Sequence, residues 1–343
     1  MPKWILTGGA GFIGSNAAVA LARRGIDVVA VDNLSRPSAP LNVEWLAEEA
    51  GEAVGIVRAD VRDGAAVEEV FAEHDDAVCV LHLAGQVAVT TSVADPRHDF
   101  DANALGTFNV LEAVRRRLPE AVVINASTNK VYGQLEDHRI EERETRYVDA
   151  DYPDGVPESH PLDPHSPYGC SKAAADVYTL DYARIYGLRA VSVRQSCIYG
   201  PRQFGIEDQG WVAWFAIAAR LGLPITLYGK GKQVRDLLHV DDLVALYLRV
   251  FERADDVAGR AFNVGGGPAN TLSLVELLER LGQPDVEHAE PRPGDQKVFV
   301  ANVSRARAEL GWEPATPLDT GVDELLAWVE ANADAAASVL QPA

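Results

Sequence analysis

Tyr168 and Lys172 stand four residues apart in Tyr168-Gly169-Cys170-Ser171-Lys172, so a helix through this stretch places a phenol and an ammonium on one face. A free phenol ionises near pH 10 and serves as a base at neutral pH only if a nearby cation favours its phenolate. Lys172 is positioned to be that cation. By spacing alone such a pair is a frequent accident of helix surfaces, and a second element raises it above accident. Ser127-Thr128 follows the apolar run Val122–Ala126, at the end where parallel sheets open their sites. A Thr128 hydroxyl there can hydrogen-bond the substrate oxygen that Tyr168 would deprotonate.

A second constellation begins at residue 8. The first apolar run is followed by Gly8-Gly9-Ala10-Gly11-Phe12-Ile13-Gly14, a glycine pattern that lets backbone turn tightly against a pyrophosphate at a helix N-terminus. The next strand ends in Asp32, 18 residues beyond Gly14, where a carboxylate accepts hydrogen bonds from ribose hydroxyls and repels a 2′-phosphate. NAD is therefore expected over NADP, with Arg36 the one residue that could face a 2′-phosphate.

The elements that must position these residues alternate strictly. Trp4–Thr7, Val28–Val31, Ala53–Val57, Ala77–Leu83, Val122–Ala126 and Ala190–Arg194 read as strands, and Ile13–Arg24, Ala65–His74, Pro96–Leu118 and Ser166–Tyr186 as helices between them. This predicts an α/β fold, a doubly wound parallel sheet of Rossmann type. Beyond about residue 195 the alternation gives way to Gly/Pro punctuation and helices near Trp211–Leu221, Asp241–Arg253, Leu272–Leu281 and Asp319–Ala331, as in a smaller α+β C-terminal lobe. Arg260–Val264 reads as a strand returning to the first sheet. The division expected is 1–194 plus about 237–264 for the cofactor domain, and about 195–236 plus 265–343 for the substrate domain. Residues 134–165 are polar, acidic and too long for an ordinary connection, and are read either as a lid over the site or as a floppy segment.

Composition bounds the partners. Net charge is −20 over 343 residues, which opposes binding to a phosphate backbone; only 6 of the 31 basic residues are lysine. No apolar run reaches the roughly 18 residues of a membrane span, and no signal peptide is read at the N-terminus. Cys79, Cys170 and Cys197 show neither disulfide nor zinc spacing. The expectation is a cytoplasmic chain with no nucleic-acid, membrane or metal partner.

At this point the residues resemble a family. Gly8/Gly11/Gly14, Asp32, Asp60-Val61, His82-Leu83-Ala84-Gly85, Ser127-Thr128, Val131-Tyr132-Gly133, Tyr168 with Lys172, Tyr199-Gly200-Pro201-Arg202, Arg235-Asp236 and the Arg292–Asp295 stretch are similar to the extended short-chain dehydrogenase/reductases, the nucleotide-sugar epimerases and dehydratases. Within that family Gly85–Ser92, Ser127–Gly133, His165–Lys172 and Asp208–Trp211 most resemble the 2-epimerases of CDP-linked sugars. The resemblance runs nearly end to end.

It implies an isomerase that keeps NAD bound. Tyr168 would take the proton from a sugar hydroxyl while hydride leaves the same carbon, Thr128 would orient that oxygen, and Lys172 would lower the phenol pKa and hold the nicotinamide ribose. Hydride would then return to the opposite face of the ketone, at C2 of a CDP-hexose or deoxyhexose. The cofactor residues implied are Gly8, Gly11, Phe12, Ile13, Gly14, Asp32, Asn33, Asp60, Val61, Leu83, Ala84 and Gly85, with Tyr168 and Lys172. Those implied for the nucleotide-diphosphate sugar are Gln86, Thr91, Ser92, Thr128, Asn129, Arg202, Gln209, Arg235 and Arg292; an arginine's planar fork suits a diphosphate. Relatives often form homodimers through the helices matching Pro96–Leu118 and Ser166–Tyr186, so a homodimer is expected.

Other readings are weighed against this one. A 4,6-dehydratase would carry Thr-Asp-Glu, whose carboxylates eliminate water, where this chain has Thr128-Asn129-Lys130. A 4-epimerase would use the same Tyr168, Lys172 and NAD on a sugar turned differently. A non-catalytic NAD sensor would have no need of the Tyr/Lys pair. Cys197 stands where the family commonly places Asn and reads as a small buried residue, His82 and His165 read as structural or solvated, and Trp211 and Trp214 as core. The position of Lys130 beside Thr128 is unusual and no function is assigned to it from sequence.

Overall fold

The computed structural model describes residues 1–292 and 295–340. Its strands in chain order are β1 (Lys3–Thr7), β2 (Asp27–Asp32), β3 (Val54–Arg58), β4 (Cys79–His82), β5 (Val122–Thr128), β6 (Ile140–Glu142), β7 (Tyr147–Asp149), β8 (Arg189–Gln195), β9 (Cys197–Tyr199), β10 (Ile225–Tyr228), β11 (Val234–His239), β12 (Ala261–Val264), β13 (Thr271–Ser273), β14 (Val286–Ala289) and β15 (Val298–Phe299). The helices that matter here are α1 (Phe12–Ala22), α2 (Ala39–Ala50), α3 (Gly64–Glu73), α4 (Val89–Ala94), α5 (Pro96–Phe100), α6 (Gly106–Arg117), α7 (Ser166–Tyr186), α8 (Trp211–Leu221) and α9 (Val240–Glu252).

Seven parallel strands form one sheet in the order β12-β8-β5-β4-β1-β2-β3, the doubly wound arrangement that the alternation predicts. Strand side chains point alternately to opposite faces, and both faces are apolar because helices cover both. Trp4 and Leu6 of β1 pack into a core with α1 and α9, while Ile5 joins a second core under α3 and α6. β12 pairs with β8 through Ala261↔Ser192 to Val264↔Gln195, so the chain does return to the first sheet. The second lobe is built on a sheet of β9, β11, β13 and β15 and the pair β10-β14, with its own core of α8 and the helix Leu318–Ala331. No helix of the described residues is long and apolar enough to cross a membrane.

Three local readings are corrected. The helix α2 has no counterpart among the expected elements: its apolar residues are spread around the helix, with only Ala39, Asn42 and Leu46 buried, and it is recognised by its packing on α1 rather than by its pattern. The single helix expected over Pro96–Leu118 is divided by a π-helical turn at Asp101–Leu105. There the Thr107 hydroxyl donates to the Asn103 carbonyl at 2.6 Å, and the extra residue re-aims the Asn103 side chain toward the site. The segment 134–165 is neither a lid nor floppy but a strap packed across both lobes. Tyr147 donates its N–H to Lys232 (2.8 Å), Arg146 pairs with Glu276, and Glu158 accepts the N–H of Asn263 (2.9 Å). On this strap His138 bonds Asp149 at 2.5 Å and faces His160 at 3.0 Å, and Asp137, His138 and His160 bring possible ligand atoms within 4.8 Å of one another, away from the cavity described next.

Candidate functional site

At the C-terminal ends of β1 and β2 the glycine loop turns into α1. Gly8 adopts φ +73°, and a Cβ there would lie 2.7 Å from the backbone N of Ala84; at Gly14 a Cβ would lie 2.2 Å from the Gly8 carbonyl oxygen. These two glycines let the loop, β4 and α1 touch. At Gly11, the N-cap of α1, an added Cβ meets only the Gly8 oxygen, at 3.2 Å, so this face stays open for a phosphate at the first-turn amides of Phe12, Ile13 and Gly14. Asp32 accepts the N–H groups of Ala10 (3.0 Å) and Leu34 (2.8 Å), and burial raises its carboxyl above the usual range despite those bonds. Asn33 donates to Asp60 at 3.0 Å, and Asp60, bonded to Arg62, is held well below the usual carboxylate range. Val61, Leu83, Ala84 and Gly85 line up beyond them at the ends of β3 and β4, with Val61 buried and the other three partly so. Arg36, the candidate for a 2′-phosphate, instead donates to Gln209 at 2.5 Å. An open glycine cradle, a helix N-terminus and an acid at the ribose position fit NAD.

Next to this cradle lies a cavity of about 310 Å³ bounded by Thr128, Asn129, Lys130 and Tyr168 on the sheet side. Gln209, Trp211, Trp214, Tyr228, Arg235 and Arg292 close it from the second lobe. Thr128 ends β5, and its Oγ1 caps the following turn by accepting the N–H of Lys130 at 3.3 Å. Burial pushes the Tyr168 phenol up to about 12, against a lowering hydrogen bond with Thr128. Lys172 lies one helical turn on, and its Nζ donates to the Ala126 carbonyl at 2.5 Å. Burial holds that ammonium down to about 8. Besides burial, the groups acting on the phenol here are Thr128 and Asp99, and the charge of Lys172 bears on Asp99 and His82.

A buried network that the sequence reading missed holds this corner in place. Asp99 accepts from Ser171 (2.6 Å) and Asn103 (3.0 Å), and Asn103 accepts the N–H of Gln86 (3.0 Å). The π-turn therefore ties the loop after β4 to α7. The hydroxyl of Thr107 is spent on the Asn103 carbonyl, so it accepts from His82 Nε2 at 3.0 Å, leaving Nδ1 of that ring to accept from Thr7 at 2.6 Å. With both nitrogens so engaged and burial lowering its pKa to about 3, His82 is a neutral structural ring. Spacing offered no signal for this network, because Asp99, Asn103 and Thr107 stand among many other polar residues in this stretch, Arg97, His98, Asp101, Asn109 and Glu112 included.

Of the residues expected at the substrate, Thr128, Asn129, Gln209, Arg235 and Arg292 line the cavity and four do not. Gln86 folds back on the Ala88 carbonyl at 2.6 Å, Ser92 is fully buried and donates to Val89, and Thr91 faces solvent. The start of α4 instead presents Val87, Val89 and Thr90. Arg202 is turned away, held by the Leu41 carbonyl (2.7 Å) and Asn42 and stacked over Trp45. Trp214 belongs to the core of the second lobe and Trp211 packs against it, as expected, and both also line the cavity, because α8 lies along its wall. Arg235 pairs with Asp295 at 2.7 Å; Arg292 pairs with Asp208 at 3.2 Å and lies 3.9 Å over the Tyr228 ring. Pro293 and Gly294 of that stretch lie outside the described residues. Burial drives the Cys197 thiol to about 12, which makes it a poor nucleophile. Thr90 Oγ1, Trp214 Nε1 and Gln233 Oε1 line the cavity, buried and without protein partners, as in a site made for a polar ligand.

Comparison with known proteins agrees with this geometry. Residues 4–265 match the family described as the NAD dependent epimerase/dehydratase family. Over 336 residues the chain is 44% identical to the CDP-paratose 2-epimerase of Salmonella typhi, covering 95% of this chain and 98% of that one. It is 32% identical to a dTDP-glucose 4,6-dehydratase of Xanthomonas campestris pv. campestris, over 97% and 94% of the two chains. Among solved structures, the UDP-glucose 4-epimerase of Thermus thermophilus in complex with NAD superposes with a TM-score of 0.79 at 32% identity, over 96% of this chain and 99% of that one.

Proposed function

This chain belongs to the NAD dependent epimerase/dehydratase family, and from that premise we propose that it epimerises C2 of a CDP-linked hexose or deoxyhexose. It is an NAD-dependent isomerase of nucleotide sugars. The observation that carries the reaction type is the catalytic corner itself: Thr128, Asn129, Lys130 and Tyr168, with no carboxylate among them. The acids of the cavity, Glu207, Asp208 and Asp295, are bound to Arg292 and Arg235. Water elimination needs a free acid and base, whereas epimerisation by hydride transfer needs only a proton acceptor at the oxygen. The CDP-sugar and the C2 position are supported by the identity with the Salmonella typhi enzyme.

NAD, when bound in the glycine cradle, supplies the acceptor and later the donor of hydride. Tyr168 then holds the proton of the sugar hydroxyl and gives it back, and Thr128 keeps that oxygen within reach. Lys172, anchored on Ala126, stands where it can bind the nicotinamide ribose. Arg235 and Arg292 are assigned to the diphosphate and Asn129 and Gln209 to the sugar nucleotide. The cavity wall of Val87, Trp214 and Phe215 is apolar enough to let a ketone turn without fixing its ring.

Proton NMR of CDP-glucose with the enzyme in D₂O tests this directly. The expected result is inversion at C2 with no deuterium at that carbon. Inversion at C4 would remove the C2 assignment, and deuterium at the inverted carbon would replace hydride return by deprotonation.

The chain is also assigned to the cytoplasm, in keeping with three free cysteines, and to a homodimer. The dimer is supported by Phe108, Val177, Tyr178, Ile185 and Tyr186, apolar and exposed on α6 and α7, in line with the way such patches mark interfaces. Sedimentation is expected to give twice the mass of one chain at micromolar concentration, and a monomer there would overturn it.

A further inference from the structure

Lys130 is the one charge of the catalytic corner to which the reaction above gives no task. It follows Thr128 by two residues in the turn Asn129–Tyr132, with its own N–H bonded to Thr128 Oγ1 at 3.3 Å. The backbone of this lysine is thus tied to the hydroxyl that partners Tyr168. Its side chain lines the cavity, and among the described residues it forms no ion pair, whereas Arg235 and Arg292 in the same cavity are both paired. The charges that act on it are Arg235, of like sign, and Asp295, already committed to Arg235 at 2.7 Å. One carboxylate between two cations leaves this corner with a surplus positive charge at the cavity wall, and a partly buried charge without a partner is costly. Burial and Arg235 accordingly hold the ammonium down to about 8. An anion arriving between Lys130 and Arg235 would relieve both.

The connectivity of the substrate says which anion that is. In a sugar linked through O1 to a diphosphate, the nearer phosphorus is three bonds from C2 and five from C4. Presenting C2 to Tyr168 therefore brings that phosphate into the catalytic corner, and presenting C4 sends it to the far side of the ring. We propose that Lys130 binds the sugar-linked phosphate of the substrate and by that contact presents C2, rather than C4, to Tyr168. A lysine suits this place because its compact ammonium can meet a single phosphate oxygen in a narrow corner, while the broader forks of Arg235 and Arg292 take the rest of the diphosphate. This assignment rests on the C2 reading above, and the phosphate contact can be tested apart from turnover.

The test is calorimetric titration of the NAD-loaded enzyme with CDP and with CMP, which differ by the phosphate in question, and with UDP and UMP so that base preference does not enter. In Lys130→Met, which keeps the apolar stem, the advantage of the diphosphate over the monophosphate should fall by about tenfold or more, with monophosphate affinity within about twofold of the unaltered chain. Lys130→Arg, which keeps the charge, should retain most of that advantage, a rescue that mere loss of packing would not produce. An unchanged diphosphate advantage in Lys130→Met overturns the phosphate contact whatever the enzyme does to sugars. Inversion at C4 by the unaltered chain overturns the C2 reading and the orienting role with it, and is seen by NMR independently of the titrations.

Discussion

Replacing Tyr168 with phenylalanine should lower the turnover of the sugar nucleotide by about a thousandfold while leaving NAD bound. The phenol is the proposed proton acceptor at the point where the cavity meets both Thr128 and the cofactor cradle, and loss of a positioned acid or base costs about 10²- to 10⁴-fold. Burial drives the phenol up to about 12, so the group is protonated at neutral pH until the bound substrate and cofactor change its surroundings. The rate should therefore rise with pH through the neutral range in the unaltered enzyme and lose that rise in the variant. Phenylalanine keeps the ring that packs in this buried position and removes one oxygen, so α7 should be undisturbed, and Thr128 Oγ1 still accepts the N–H of Lys130. The measurements are initial rates by NMR and the NAD content of the purified protein. A variant keeping more than about a tenth of the rate would show that another group moves the proton.

Gly14→Ala should cost tenfold to a hundredfold in NAD affinity and lower the melting temperature. The added methyl carbon would lie 2.2 Å from the Gly8 carbonyl oxygen and 2.8 Å from the Gly9 Cα, contacts that real side chains do not make. Both obstacles are backbone, so α1 must draw back from the end of β1, and overpacking of this kind costs about 1–3 kcal/mol. The displacement also moves the first-turn amides of Phe12 and Ile13, whose alignment on the phosphate depends on the helix end. Titration of cofactor-free protein with NAD and a thermal melt would measure the two effects. An alanine variant that binds NAD within about threefold of the parent would mean that the loop yields, and that the close contact of Gly14 is not what shapes the cradle.

The two arginines show why the substrate side was only half legible. Arg202 and Arg235 are both single arginines in a motif-bearing stretch, and nothing in their spacing separates them. Arg235 lies on β11, whose neighbours carry it to the cavity beside Asp295. Arg202 follows a glycine turn that delivers it to the Leu41 carbonyl, Asn42 and the Trp45 ring, all on or beside the helix that the sequence pattern did not reveal. Missing α2 and misplacing Arg202 are one error, since the arginine's partner was absent from the reading. Thr91 and Ser92 failed for a different reason. In the short α4 the turn phase decides which side chains face inward, and six residues carry too little periodic signal to set it.

What the sequence determined by itself is whatever depends on neighbours within one element or one turn. That covers the strand and helix alternation, the glycine cradle with Asp32, Thr128 at the end of β5 and the four-residue spacing of Tyr168 and Lys172, because dihedral preferences and side-chain periodicity act over a few residues. Tertiary structure alone decided the meetings between distant segments: Arg36 with Gln209, Lys130 with Arg235 and Asp295, Asp99 with Ser171, and the strap 134–165 with the second lobe. Those partners are chosen by how sheets, helices and lobes pack. Packing is a sum of many weak contacts spread over the whole chain, and local spacing leaves no record of it.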